Sequence, residues 1–395
     1  MTTLTLEVED APSLGRQNII LHGDNGDTVR VHTELSAPGS DPLTLDSPLC
    51  LVIFHAMQHC KRLKIDGVIS EKLYRNIIAF QEAWHCHYPG WYQMVEIEPQ
   101  GIARSDDTAR ETKNRGVIQT FSGGVDSIFT LQRPLSPINT ASDGTSRSAV
   151  LVHGFDIPRS NQKDFDALRK RIEKITDAAG VELHVVKTSL RDSLPSNWEH
   201  SHGAALAGIL HLYAHDNYAG AIASSDPYNY VSFVPHAWGS SPATDYLLSG
   251  DEIEIIHDGA GYSRPQKIAY LAEEWRQMLE LAQFCWEGDD RSENCGECDK
   301  CIQTRLALRA AGQDELICFK TKFERRMIKQ LKLSDGTMGD LLPLIDFADE
   351  RNCSEPWVRD IKEQVSPFMP AMYKSDGSLA RSLRYFRSAV RELIS

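Results

Sequence analysis

Nowhere in the 395 residues is there an apolar run long enough to cross a bilayer, which takes ~18 residues, so no membrane span is expected. The first ten residues, Met1 to Asp10, lack both a basic start and an apolar stretch, so no signal peptide is expected either. Positive charge is in deficit. Lys and Arg number 42 against 55 Asp and Glu, a net charge of −13, which argues against broad non-specific binding to DNA or to an anionic membrane surface. A local basic patch stays compatible with that balance. Cysteines number nine, an odd count, and four of them crowd together, so a disulfide framework is not expected. A reducing cytoplasm and a metal site suit them better. The rest is ordinary: 41% apolar and 25% charged residues support a sizeable core, and the length suits two or three domains.

The most informative stretch is Val117–Leu131. An apolar start runs into Ser122-Gly123-Gly124-Val125-Asp126-Ser127 and then into a second apolar run. This reads as strand, glycine turn, helix. Two adjacent glycines let the backbone approach a ligand closely, and the helix turns its unpaired N–H groups and positive dipole end toward the turn. Such a turn suits phosphate. A carboxylate beside phosphate needs a cation between them, so Asp126 is assigned to Mg²⁺, with Ser122 and Ser127 adding hydroxyls. The Gly-Lys-Ser/Thr ending of a Walker A loop is missing. The hexapeptide resembles instead the signature of the PP-loop ATP pyrophosphatases, which split ATP between the α and β phosphates. That resemblance implies ATP binding by Ser122, Gly123, Gly124, Val125, Asp126 and Ser127.

Before the loop, residues 1–115 read as a small α+β domain. Asn18–Leu21 and Thr28–Glu34 alternate around Gly-Asp-Asn-Gly-Asp, a β-hairpin pattern. Helical patterns cover Leu49–Leu63 and Ser70–Trp84, the second with Ser70 as N-cap and Glu71 in its first turn. Tyr92–Ile97 reads as a strand and Gln100–Arg115 as a linker. His55, His59, Cys60, His85, Cys86 and His87 are open to a second metal site, though plain core or surface residues are preferred. The domain carries no motif; substrate recognition or dimerisation is the default expectation.

Residues 116–284 change to βα alternation. Strands are expected at Gly116–Phe121, Ala149–Phe155, Glu182–Lys187, Ala219–Ala223 and Glu252–His257, with helices such as Asp164–Ala179 and Ser201–His215 between them. This implies a parallel sheet covered on both faces, with ligands at the carboxyl ends of its strands. Pro134–Ser148 reads as an exposed loop. At the second strand end, the family resemblance implies that the backbone of Gly154 and Phe155 reads adenine; Asp156 fits ribose or metal, or starts a loop. Past the fifth strand, Pro265 suits a first helical turn, which puts Arg264 and Lys267 at a helix N-terminus. Two cations there oppose the dipole and need an anion. The resemblance makes them the catalytic pair that neutralises leaving pyrophosphate, beside Asp126; a solvated basic turn is the alternative. In His200-Ser201-His202-Gly203, Ser201 or His202 is a candidate helix cap, preferred over acid–base chemistry. The long run Asn229–Asp245 is read as substrate recognition.

Cys285, Cys295, Cys298 and Cys301 follow as C-x9-C-x2-C-x2-C. Four convergent thiolates make the closed shell of a structural Zn²⁺, and Gly296 permits a tight knuckle. An iron–sulfur cluster is the alternative. This knuckle (285–311) together with the loop resembles the 7-cyano-7-deazaguanine synthases of the queuosine pathway over about residues 116–311. The fold class is therefore α/β: a parallel-sheet PP-loop domain, a small N-terminal α+β domain, a zinc knuckle and a helical C-terminal region, 312–395. In the last, Phe323–Leu333, Gly339–Asp349, Trp357–Gln364 and Leu379–Leu393 show helical spacing. The last of these carries Arg381, Arg384, Arg387 and Arg391, either a solvated face or a surface for RNA or an acidic partner.

The resemblance implies an ATP-dependent ligase that adenylates a carboxylate or carbonyl oxygen and transfers nitrogen to it, releasing AMP and pyrophosphate. The expected cofactors are ATP, Mg²⁺ and Zn²⁺. Expected partners are a carboxylate or carbonyl substrate (a deazapurine is one candidate), a protein substrate, and a second copy of the chain as a homodimer. Two alternatives stay open. One is a synthase-like enzyme that joins such a group to a protein in antiphage defence. The other is sulfur transfer, for which Cys50, Cys60, Cys86, Cys318 and Cys353 are uncommitted. A nucleotide-binding scaffold without turnover is a third reading from another class.

Overall fold

The computed structural model describes residues 3–104, 115–141, 144–225, 238–285, 292–331 and 335–367. In chain order its strands are β1 (Thr3–Glu9), β2 (Arg16–Gly23), β3 (Thr28–Leu35), β4 (Arg62–Ser70), β5 (Glu96–Ala103), β6 (Gly116–Thr120), β7 (Arg147–His153), β8 (Glu182–Thr188), β9 (Asn217–Ala223) and β10 (Glu254–Asp258). The helices of two turns or more are α1 (Asp46–His59), α2 (Glu71–His87), α3 (Val125–Gln132), α4 (Gln162–Ala179), α5 (Trp198–His211), α6 (Arg264–Glu274), α7 (Asp299–Ala310), α8 (Asp335–Glu350) and α9 (Pro356–Val365). None of the described helices is long and apolar enough to cross a membrane.

All ten strands share one sheet, ordered β10-β9-β6-β7-β8-β3-β2-β1-β4-β5. The five strands expected after residue 115 are present within a few residues of their expected bounds, and they pair in parallel. The N-terminal strands extend the same sheet. β3 runs antiparallel to β8, with Thr33 opposite Thr188 and their hydroxyls 3.0 Å apart. The sheet is thus mixed and largely parallel, and it passes without a break from the N-terminal half into the βα half.

Alternate residues of the central strands point to opposite faces, as the period of two requires. Val117, Leu151 and Ala219 join a core that takes in α3, α4 and α6 together with the C-terminal helices. Ile118, Val150, Val186 and Ile222 join a second core that takes in α1, α2 and α5. The helices start where capping chemistry puts them. Ser70 caps α2, its Oγ accepting from Leu73 N at 3.3 Å. Asn161 caps α4, which ends on Gly180 at φ +64°. Ser263 and Gln266 form a capping box on α6, with Pro265 in the first turn.

Several expectations need correction. The helix expected over Leu49–Leu63 ends at His59, and Arg62–Ser70 is a strand that no expectation covered; nor did one cover β1. The strand expected at Tyr92–Ile97 begins at Glu96, because Tyr92 is buried with its ring against Phe54 and its hydroxyl 2.9 Å from His200 Nδ1. His200, Ser201 and His202 lie inside α5, whose cap is Asn197. Pro134–Ser148 holds a one-turn helix, Pro137–Thr140, and runs into β7. Where Phe323–Leu333 was expected as an α-helix there is a 3-10 turn, Arg325–Gln330. The expected linker lies mostly outside the described residues, and so does Leu379–Leu393 with its arginines.

Candidate functional site

The site is built at the carboxyl ends of β6, β9 and β10. β6 is the central strand of its parallel run, buried along its length. It ends at Thr120, and the chain turns through Ser122 to Gly124 into α3. Gly123 takes φ +75°, a conformation closed to ordinary side chains, and a Cβ there would meet Ile172 of α4 at 3.0 Å. Gly124 is the N-cap of α3. Ser122 Oγ accepts from Gly124 N at 3.3 Å and lies 3.5 Å from Ser127 Oγ. The Val125 side chain is in the core, so only its backbone faces the turn.

Asp126, in the first turn of α3, meets the first turn of α6. Its Oδ2 accepts from Arg264 Nη1 at 2.8 Å and its Oδ1 from Lys267 Nζ at 3.0 Å. Lys267 is buried, with 1% of its side chain exposed, while Arg264 and Asp126 keep 14% and 25%. The Lys267 ammonium also donates to Ser224 O (2.6 Å), Ser224 Oγ (3.1 Å) and Ser225 O (2.9 Å), at the end of β9. The anion that the α6 cations require is therefore Asp126 itself. Burial pushes the Asp126 carboxyl up, but Lys267 and then Arg264 outweigh burial and hold it below the usual carboxylate range. Lys300 adds to the same pull, from the first turn of α7, where it also pairs with Asp340 at 3.1 Å.

Sequence reasoning placed Asp126, Arg264 and Lys267 correctly on helix N-termini but missed the residues that hold the turn from outside. Gln283 N donates to Gly123 O at 2.8 Å. Arg171 of α4 donates to the Gln283 side chain and to Ser292 O. No spacing rule marks these. Gly154 lies at the end of β7 at φ +109°; a Cβ there would fall 2.1 Å from Thr188 O, so close strand packing alone requires glycine. Phe155 is buried, and its carbonyl accepts from Arg191 Nη1 at 2.6 Å. Asp156 is exposed. Of the expected recognition run Asn229–Asp245, the part up to residue 237 lies outside the described residues. The remainder is pinned by buried Asp245, which accepts from Ser240 Oγ (2.6 Å) and Ser241 N (2.9 Å) and lies 2.8 Å from His257 Nδ1.

The four cysteines converge as expected. Their sulfurs all lie within 4.8 Å of one another, with Cys285 Sγ 3.3 Å from Cys295, 3.6 Å from Cys298 and 3.2 Å from Cys301. These separations are too long for a disulfide and near the edge of a thiolate tetrahedron about one ion. Backbone N–H groups of Glu297 and Cys298 point at Cys295 Sγ, both at 3.3 Å. Gly296 takes φ +83°, where a Cβ would strike Arg305 and Thr321 at 2.6 Å. Asn294 braces the entry by accepting from Phe284 N and Cys285 N. Hydrogen bonds from its sulfur neighbours, Cys285 first, favour the thiolate of Cys298, whereas Cys285 and Cys301 are pushed up. Four sulfurs this close need a cation before all can ionise, which is consistent with a zinc site. Among the described residues no other group of three or more His, Cys, Asp or Glu converges as a metal site would, the histidines of α1 and α2 included.

Of the uncommitted cysteines, Cys50, Cys60 and Cys318 are poor thiolates. Burial raises all three, with Asp46 adding to Cys50, to about 11 for Cys60 and about 12 for Cys318. What the βα site offers is a glycine turn at a helix N-terminus, hydroxyls at its rim, and two cations against one carboxylate. That arrangement can hold an anion and orient it. Set against protein-family models, curated proteins and solved structures, the chain matches none.

Proposed function

We propose that the protein is an ATP-dependent adenylating ligase of the 7-cyano-7-deazaguanine synthase type. A substrate carboxylate or carbonyl oxygen attacks the α-phosphorus of ATP and pyrophosphate leaves. A nitrogen nucleophile then attacks the activated carbon and AMP leaves. The observation that carries this reading is the meeting of Asp126 with Arg264 and Lys267, 138 and 141 positions away in the chain, at the Ser122–Ser127 turn.

In this reading the turn holds the phosphates by its N–H groups, and binding energy fixes the α-phosphorus for in-line attack. Lys267, anchored on Ser224 and Ser225, is charge set in place before the reaction, which is the efficient form of electrostatic stabilisation. Arg264, less buried, reaches the leaving pyrophosphate. Mg²⁺, which Asp126 would hold by giving up its bond to Arg264 or Lys267, would supply charge against the phosphates. The four sulfurs suit Zn²⁺ in a structural role. The raised thiols of Cys50, Cys60 and Cys318 weigh against sulfur transfer through them.

The test is the identity of the products. The protein is incubated with ATP, Mg²⁺, ammonium and a panel of carboxylated deazapurines, purines and peptides. AMP and pyrophosphate are expected, with an adenylated species when ammonium is omitted. ADP and phosphate as the sole products would overturn the reading. AMP formed only with a peptide or protein acceptor would move the activity to protein modification.

A further inference from the structure

The bonds around Lys267 leave none of its hydrogens over. An ammonium group has three to donate. Four acceptors surround Lys267 Nζ: Ser224 O at 2.6 Å, Ser225 O at 2.9 Å, Asp126 Oδ1 at 3.0 Å and Ser224 Oγ at 3.1 Å. The side chain is 1% exposed and cannot turn outward for another partner. Two of the four acceptors are main-chain carbonyls at the end of β9, and the Ser224 hydroxyl is buried beside them. The carboxylate of Asp126 is the acceptor that can leave, since it sits on a rotatable side chain and is a quarter exposed. Its other oxygen, Oδ2, takes Arg264 Nη1 at 2.8 Å. As folded, Asp126 therefore occupies with both oxygens the donors that a polyphosphate would need.

This arrangement opposes each ligand alone. A polyphosphate without metal must lie beside the carboxylate, like charge against like, or push it off Arg264 and Lys267 and leave it unpaired in a largely closed site. A divalent cation alone must approach two positive charges to reach the carboxylate. Together each removes the other's obstacle. The carboxylate turns to the cation, and the phosphates take Arg264 and the freed N–H of Lys267. Coupling between two ligands is reciprocal and is typically about 5–150-fold. We propose that Asp126 makes the site selective for polyphosphate that arrives with a divalent cation, by holding Arg264 and Lys267 until the cation draws it off. The proposal rests on the reading of the Ser122–Ser127 turn as a polyphosphate site, and not on the reaction that follows. Asp126 then has two roles, to hold a metal and to exclude the metal-free ligand.

Calorimetry on the full chain tests this, with inorganic tripolyphosphate as the probe, once in Mg²⁺ and once in EDTA at the same ionic strength. The parent is expected to bind about tenfold more tightly, or better, in Mg²⁺. Asp126→Asn is expected to bind metal-free tripolyphosphate about fivefold more tightly than the parent does, because Arg264 and Lys267 are released, and to gain nothing from Mg²⁺. A residue that only held the metal would, once neutralised, weaken binding in Mg²⁺ and leave the value in EDTA unchanged. The comparison in EDTA is therefore the decisive one. Asp126→Ala serves the same comparison if the asparagine variant does not fold, and the parent's own comparison needs no variant. Equal affinity of the parent in the two media, or no tightening in EDTA by a folded variant, overturns the proposal and leaves the polyphosphate site standing. Failure of the parent to bind tripolyphosphate in either medium removes the polyphosphate site and the proposal with it.

Discussion

Asp126→Asn keeps the shape of the side chain and removes its charge. In the native protein that charge faces Lys267, 1% exposed, at 3.0 Å. At an effective dielectric of ~20, two unit charges at this distance attract by about 5–6 kcal/mol, against which the desolvation of both groups must be set. Losing one partner of a buried pair costs about 3–5 kcal/mol as a rule. Two features reduce it here: Asp126 is a quarter exposed, and Lys267 keeps its oxygens on Ser224 and Ser225. Arg264, with 14% of its side chain exposed, loses the same partner and has no proton it can shed at neutral pH. We expect Asp126→Asn to lower stability by about 2–4 kcal/mol in urea unfolding. Adding Lys267→Met removes one of the two orphaned charges and should return part of the lost stability, Arg264 being left without its carboxylate. A double-mutant cycle in which the two losses simply add would refute the coupling. The sign of the pH dependence follows from the depressed carboxyl. Its contribution is complete above the ordinary carboxylate value of ~3.9 and is lost as pH falls through the lower folded value. The gap between parent and Asp126→Asn should therefore hold from pH 7 to about 5 and shrink in stronger acid. ATP affinity separates structure from function: it should stay lost in the double variant although part of the stability has returned.

Metal analysis of the purified protein should find about one Zn²⁺ per chain, held by thiolates at ~2.3 Å; iron with sulfide would overturn the assignment. Cys298→Ser should mainly impair folding, since a structural site contributes its binding energy to the folded state, and a stable variant lacking only catalysis would make the metal chemical instead. Gly203→Ala sets two effects against each other. Alanine is the better helix former by about 1 kcal/mol, but its Cβ would lie 2.0 Å from the Gly239 carbonyl, which belongs to backbone. The clash should win, with a net loss of about 1–3 kcal/mol in thermal or urea unfolding; a stabilised variant would show that the loop does not press on α5.

The βα half was legible because each of its signals is local. Apolar strands alternate with capped helices, Ser-Gly-Gly-Val-Asp-Ser marks one turn, and Ser263-Arg264-Pro265-Gln266 marks a helix start. The N-terminal half was less so. The apolar spacing of α1 runs on into Leu63, which extends the helical pattern past the true end at His59. The chain in fact turns extended at Cys60, at φ −138° and ψ 164°, with neither Gly nor Pro to announce it. The Leu4, Leu6, Val8 alternation of β1 is a strand pattern in plain view, but nothing local says what it pairs with. The pairing of β3 with β8 is beyond any local signal, since Thr33 and Thr188 are 155 positions apart. The need for an anion near Arg264 and Lys267 was readable from the helix dipole; that Asp126 meets it depends on a contact only the folded chain makes.

The two regions that flank the βα core press on it from opposite faces, and both reach the helices that border its site. On one face α7 packs beside α6, the helix that carries Arg264 and Lys267. The chain entering the cysteine cluster bonds to Gly123 through Gln283, two positions before Cys285. On the other face α1 packs along α5, where Gly208 leaves room for Leu51; a Cβ on Gly208 would fall 2.6 Å from Leu51 Cγ. A glycine pair is costly to order, because it has the most backbone freedom to lose. Ser122–Ser127 is short and has few bonds of its own, Gly124 N to Ser122 Oγ at 3.3 Å and Ser127 Oγ to Gly124 O at 3.0 Å. The order it needs is supplied from outside, by Gln283, by Ile172 against Gly123, and by Arg171 behind Gln283. The cysteine cluster thus bears on the turn through Gln283. A metal held by the four sulfurs would fix the chain on either side of residues 285–301, and the segment it would fix is the one that holds Gly123 in place.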